Sequence, residues 1–502
     1  MPRKLSRRTF LKAGLIGVPA VALAGGAGAS WVWKSADVNT IGTIAFDQEL
    51  KIPPLANSSI DADGKRVFNL TAQAGSSELL PGTKTDTWGF NGSYLGPTLR
   101  AARGEQVLIH ISNKLDEATT VHWHGMHLPP RMDGGPHQMI GPGGVWSPTW
   151  KVDQLPATLW YHPHPHGKTR EHVNRGLAGM FILDDPGDPV ARSLPREYGV
   201  DDIPIIVQDR RLSGSGHIGD GDGGDTILIN GTFGPFLNVT TEAIRLRILN
   251  ASATRVYNFG FSDNRQFSMV ASDGGLLPAP FATDRLELSP GERTEIIVHM
   301  KPDETVVLRS YEPELGVNFI SEQFGGGNDR FDLLELRAAD QLAPSNALTD
   351  ALASAPHLVD RGTDSTPDHR FELEGNTING QEMEMMRIDL AVTVDTTEIW
   401  EVTNTDQDYH NFHVHDVQFQ VIEVNGAPPP AELGGWKDTI FLPPDRTVKL
   451  AMRFSDYAHP NWPYMYHCHR LRHEDRGMMG QFVVLKPGEK PGIPPDMEHD
   501  HA

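Results

Sequence analysis

Apolar and β-branched residues run along this chain in short stretches of five to seven, each stopped by glycine, proline, asparagine or aspartate. The clearest are 106–111, 179–183, 203–207, 244–249, 294–298, 418–424 and 480–485. Runs of that length bounded by turn residues read as strands, and stretches with a helical period are few. With 50 Gly and 38 Pro among 502 residues, the pattern predicts an all-β protein built from sandwiches or Greek-key barrels.

The strands repeat. Residues 99–113, 244–250 and 397–404 resemble one another, and each ends in asparagine: Asn113, Asn250 and Asn404. Each is followed by a Pro/Gly-rich or Pro/Asp turn (141–144, 289–292, 442–445) and further strands, so the chain holds three copies of one β unit. The expected division is 45–188 for the first unit, 200–340 for the second and 365–488 for the third. A linker rich in Ala, Ser, Pro and Thr at 341–364, with room for a short helix, and an unstructured tail at 489–502 complete it.

The first 29 residues stand apart. Arg7-Arg8 in Ser-Arg-Arg-Thr-Phe-Leu-Lys precedes an apolar run from Ala13 to Ala24 and small residues ending at Ala29. That order is a twin-arginine export signal, and the run is too short to span a bilayer comfortably. The protein is therefore expected to be exported, to the periplasm, the cell surface or the medium, by the twin-arginine machinery. Cleavage after Ala29 would remove five cations and no acid, moving the formal charge from −21 to −26. So acidic a surface repels phosphate backbones and excludes nucleic acid as a partner. The single cysteine rules out an intramolecular disulfide.

That cysteine is where the chemistry concentrates. Tyr466 to Met479 holds Cys468, with His473 five residues on and Met478 ten residues on. Thiolate, imidazole and thioether form a soft ligand set that selects copper over hard ions; a trigonal electron-transfer copper site needs one imidazole more. Cys468 lies directly between His467 and His469, and strand alternation would put both imidazoles on one face and the thiol on the other. Metals on the two faces would then be joined by single peptide links.

Three more His-X-His pairs exist: His122/His124, His162/His164 and His413/His415. Each puts two imidazoles on one strand face, and eight imidazoles suit a cluster of three metals that keeps room for oxygen ligands. Two pairs lie in the first unit and two in the third, so the cluster must bridge those units, with the second as a spacer. His410 falls on the opposite strand face from His413 and supplies the missing imidazole for Cys468.

These four motifs, in this order, resemble those of the multicopper oxidases, and the likeness covers nearly all of the chain beyond the signal. The resemblance implies three cupredoxin-like Greek-key β-barrel domains and four copper ions. Type 1 copper would be held by His410, Cys468, His473 and Met478, and type 2 copper by His122 and His413. The type 3 pair would be held by His124, His162, His164, His415, His467 and His469. It also implies that Asp133 and Glu474 are carboxylates beside the cluster, expected to relay protons. The expected function is laccase-like: four one-electron oxidations of a small-molecule phenolic or aromatic-amine donor, with Cu(I) as a variant, coupled to reduction of O2 to two waters. Two alternatives are an exported copper-free scaffold of the cell-division type and a two-domain copper nitrite reductase; the complete set of twelve ligands argues against the first, and length and motif order against the second. Asn411 stands where proline is more usual in the family, and Arg472 where an acid often is.

Overall fold

All seven apolar runs form strands, each within three residues of the expected ends, in a computed structural model that describes residues 37–221, 223–353, 358–359 and 366–495. The expected export signal at 1–29 and the last seven residues lie outside the described residues. Among the described residues the strands make six sheets, two to a unit. Each unit closes over its own apolar core: around Phe68, Ile109 and Phe181 in the first, Ile205, Leu246 and Phe259 in the second, and Trp400, Phe412 and Phe482 in the third.

The repeat read from the sequence is structural. In every unit the repeated strand pairs in parallel with an earlier one: Gln106–Asn113 with Arg66–Leu80, Ala243–Asn250 with Asp202–Arg210, and Thr396–Asn404 with His369–Glu374. The terminal asparagine does the same work three times. Asn113 Nδ2 donates to the Glu117 and Ile140 carbonyls, while its Oδ1 accepts from the Leu115 N–H. Asn250 does so with Arg255, Leu288 and Ser252, and Asn404 with Asp408, Leu442 and Asp406. All three are buried, and each satisfies backbone groups of a connection that would otherwise be orphaned, at about 1–3 kcal/mol apiece.

Equivalent strands differ in what covers them. Gln106–Asn113 alternates buried and half-buried residues, as a strand with one wet face should. Ala243–Asn250 is buried throughout, although Arg245 and Arg247 occupy alternate positions that read as solvent-facing. Those guanidiniums point at the first unit instead. Arg247 pairs with Asp202 at 2.6 Å and Glu295 at 2.7 Å and donates to Thr158 Oγ1 at 2.8 Å, and Arg245 pairs with Glu295. The ion pairs are internal to the second unit, and this buried charged group is tied to the first unit through Thr158, whose Oγ1 accepts from Arg247 and donates to Glu295 Oε1 at 2.6 Å.

Two boundaries differ from expectation, and the described part of the linker lacks the short helix it had room for. Residues 45–50 belong to the second unit, not the first: Gln48–Glu49 pairs in parallel with Pro235–Phe236, and Leu50 joins the second unit's core. An exposed two-residue strand held by backbone bonds has no side-chain period to read. In the linker, the described residues 344–353 form no helix, and Leu348 and Leu352 pack against Leu194 and Val270. The expected tail is held as far as 495, with the Gly492 N–H on the Pro460 carbonyl and Asn461 Nδ2 on that of Ile493.

Candidate metal centre

Two strand registers bring the histidines together. His122–His124 lies antiparallel to Thr158–His162 with His122 opposite His162, and His410–Val414 lies antiparallel to Tyr464–His467 with His413 opposite His467. The first and third units then dock along these strands. His122 stacks on His415 at 3.8 Å between ring centroids, and His124 on His413 at 3.7 Å and 7°. Alternation continues two residues past the end of Tyr464–His467. His467 joins His164 and His415, His469 joins His124 and His162, and Cys468 turns to the other side. A further group is His122, His124 and His413, and in each group the ligand atoms lie within 4.8 Å of one another.

The eight rings of the cluster are buried. Backbone carbonyls fix several of them: Nδ1 of His122 donates to Asp133 O, of His162 to Pro163 O and of His413 to Asp438 O. That leaves the Nε2 lone pairs of these three rings without a hydrogen-bond partner, and His124 Nδ1 and both nitrogens of His469 have none either. Nitrogens of His164 and His415 each approach His467 Nε2 to 3.2 Å. Burial, and then the neighbouring imidazoles, hold His124, His162, His164, His413, His415 and His469 well below the ordinary histidine range, and burial brings His467 down to about 3. Neutral, unpaired, converging imidazoles suit transition-metal ions, and each costs free energy if left unbound.

Asp133 and Glu474 both touch this cluster. Asp133 Oδ2 accepts from His415 Nδ1 at 2.8 Å, and its Oδ1 lies 3.4 Å from His122 Nδ1. Glu474 lies between His164 and His467, at 3.5 and 3.4 Å from their Nδ1 atoms, and burial pushes its carboxyl well above the usual range.

The cysteine site is built within the third unit. A five-residue helix, Leu471–Asp475, follows the strand and turns the chain back at Gly477, whose φ of 90° few side chains tolerate. The return places Met478 beside Cys468 in the core, with the Cys468 N–H on the Met478 carbonyl at 3.1 Å. Cys468 Sγ is 3.6 Å from His410 Nδ1 and 3.8 Å from His473 Nδ1, and the two nitrogens are 3.1 Å apart. An ion with metal–nitrogen and metal–sulfur bonds of about 2.0–2.3 Å, centred in such a triangle, needs edges of about 3.5–3.8 Å; the two sulfur–nitrogen edges meet this, and the nitrogen–nitrogen edge of 3.1 Å would have to open slightly. His410 is oriented by Asp406, which accepts from its Nε2 at 3.2 Å. Burial, with Arg470 adding to it, lowers His410 to about 4, and burial raises the Cys468 thiol to about 11.

Every metal-ligand candidate thus falls into one of two places: Cys468, His410, His473 and Met478 in one, the remaining eight histidines in the other. His127 and His166 stay outside both; His127 bonds to Asp416 and His166 is exposed. The sequence reading missed Asp438, Arg293 and the part played by Asn411. Asp438 Oδ1 accepts from His124 Nε2 at 3.0 Å, and Asn411 Oδ1 accepts from the His469 N–H at 2.6 Å while facing Cys468 Sγ at 3.6 Å. No local pattern marks an aspartate 314 residues from the histidine it holds.

Comparison with known proteins agrees with this construction. Multicopper oxidase family models match residues 71–188, 207–313 and 353–488. The multicopper oxidase mco of Staphylococcus haemolyticus is 35% identical over 452 residues, 87% of this chain and 92% of that one. The cell division protein FtsP of Sodalis glossinidius is 37% identical over 450 residues, 87% of this chain and 92% of that one. Among solved structures, the multicopper oxidase of Pediococcus acidilactici superposes with a TM-score of 0.79 at 35% identity, covering 88% of this chain and 93% of that one. The chain belongs to the multicopper oxidase family. Its three units are cupredoxin-like β domains, and copper is the metal that this family binds.

Proposed function

We propose that this protein is a laccase-like oxidase. It takes one electron at a time from phenolic or aromatic-amine donors, with Cu(I) as a variant donor, and reduces O2 to two waters. The observation that carries the reading is the assembly, in one molecule, of a Cys–His–His–Met site and an eight-imidazole cluster joined through consecutive residues of one strand end. Copper bound there would supply one-electron transfer at the cysteine and multi-electron chemistry toward dioxygen at the histidines.

The chain's own residues divide the remaining work. His410, Cys468, His473 and Met478 are assigned to one type 1 ion, and His122 and His413 to one type 2 ion. His124, His162 and His469, with His164, His415 and His467, are assigned to two type 3 ions, four coppers in all. Cys468 is covalently continuous with His467 and His469, so the two places are separated by single peptide units. Asp133, bonded to His415, and Glu474, set between His164 and His467, are placed to hand protons to the cluster, where four are consumed per O2. Burial of every imidazole keeps bulk water from the reacting oxygen. Export by the twin-arginine route belongs to the same proposal.

A second reading, an exported scaffold, draws on the similarity to FtsP. Copper stoichiometry, read with the visible spectrum and oxygen uptake on a phenolic donor, separates the two. Near four coppers, an intense blue thiolate band and donor-dependent uptake are expected. A colourless, copper-poor protein after full copper supply would put the scaffold first.

A further inference from the structure

The second unit holds none of the proposed ligands, yet one of its side chains reaches the seam between the other two. Arg293 begins the strand Arg293–His299 and is fully buried. Its five N–H donors all find acceptors, drawn from all three units. Nε donates to the Thr158 carbonyl of the first unit at 2.9 Å. Nη1 donates to the Gly291 carbonyl at 3.1 Å and Nη2 to the Asp273 carbonyl at 3.0 Å, both in the second unit. The same two nitrogens grip Asp438 of the third unit in a fork, Oδ1 at 2.7 Å and Oδ2 at 2.6 Å. Asp438 passes the constraint on: its Oδ1 accepts from His124 Nε2 at 3.0 Å, and its backbone carbonyl accepts from His413 Nδ1 at 2.8 Å. His124 and His413 are the ring pair stacked at 3.7 Å across the seam.

We infer that Arg293 is a positioning residue for the histidine cluster. It fixes Asp438, and through it the orientation and protonated nitrogen of His124 and the ring plane of His413. A guanidinium is suited to this because it is planar, always charged and forked, whereas a lysine ammonium offers three donors and no fork. Two glycines keep the clamp close. A Cβ on Gly125, the residue after His124, would lie 2.5 Å from Asp438 Oδ2 and 2.7 Å from Arg293 Nη2. A Cβ on Gly291 would lie 3.0 Å from the His469 ring. The turn before Arg293 also touches the cysteine side, since Asn411 Nδ2 donates to the Pro290 carbonyl at 2.8 Å and to Ser289 Oγ at 3.1 Å. The unit without ligands therefore forms the third wall of the centre.

This inference rests on the proposed copper cluster, and its test separates the two. Arg293→Lys and Asp438→Asn are purified, loaded with copper and compared with wild type by copper stoichiometry, electron paramagnetic resonance and thermal unfolding. Loss of a partner that orients a ligand lowers metal affinity about 10–100-fold. The expected result is folded protein with an unchanged blue thiolate band, an altered or lost type 2 resonance and weakened retention of cluster copper against a chelator. Wild-type stoichiometry and resonance in both variants would overturn the inference and leave the proposed function standing. Failure of both variants to fold would overturn it too, because Arg293 would then hold the fold and not the ligands. A wild-type protein that takes up no copper would overturn the proposed function, and the inference with it.

Discussion

The cysteine site and the histidine cluster are adjacent in sequence and opposite in construction. His410, Cys468, His473 and Met478 all belong to the third unit, brought together by one strand pairing and a five-residue helix. The cluster takes four imidazoles from the first unit and four from the third, so it exists only while those units are docked. One site is a product of local folding and the other of an interface. Damage to interfaces should therefore reach the cluster first, and damage within the third unit's core should reach the cysteine site first.

The sharpest break between them is Cys468→Ser, which should abolish the blue colour and all donor oxidation while leaving a folded protein. A blue, active variant would sink the assignment. Next is Glu295→Gln, which is none of the proposed ligands but holds Arg245 and Arg247 in its own unit and Thr158 of the first. Removing one anion from two buried guanidiniums should cost about 3–5 kcal/mol. In mild denaturant, cluster copper should leave while the blue band persists; simultaneous loss would mean that the two sites do not differ in their dependence on docking. The same residue carries a pH signature. Burial pushes Glu295 up, but Arg245 and Arg247 outweigh it and hold the carboxyl at about 2, below its ordinary 4.5. Its stabilisation is complete above about pH 4.5 and is lost as pH falls through 2. Thermal midpoints measured across that window should fall more steeply for wild type than for Glu295→Gln.

Glu474→Gln touches only the cluster side. It should slow oxygen reduction about 10–100-fold while reduction of the cysteine site by donor stays fast. Single-turnover mixing resolves the two steps, and equal slowing would remove Glu474 from proton delivery. The smallest effect belongs to Met478→Leu. The blue band and cluster resonance should persist while the type 1 potential shifts, since the axial ligand tunes it; potentiometric titration reads the change, and an unmoved potential would take Met478 out of the ligand set.

Much of this was legible before any coordinates, and the reason is periodicity. Alternation along a strand is local, so His122/His124 and His467/Cys468/His469 announce their faces directly, and the repeat ending in Asn113, Asn250 and Asn404 announces the three units. What escaped depends on partners far apart in sequence. Arg245 and Arg247 alternate with apolar residues along their strand, and nothing local shows that the first unit covers them. Arg293 and Asp438 are 145 residues apart and look like charges at strand ends. The start of the first unit was misplaced because Gln48–Glu49 pairs through backbone alone.

The three asparagines have a consequence beyond stability. Each ties its own unit together with bonds to backbone, and none of those bonds involves an imidazole or the thiol. Scaffold and chemistry are thus inherited separately: a lineage could shed its ligands one by one without losing the barrel, or regain them without redesigning it. That separability is the latitude in which one family accommodates members named for oxidation and members named for cell division.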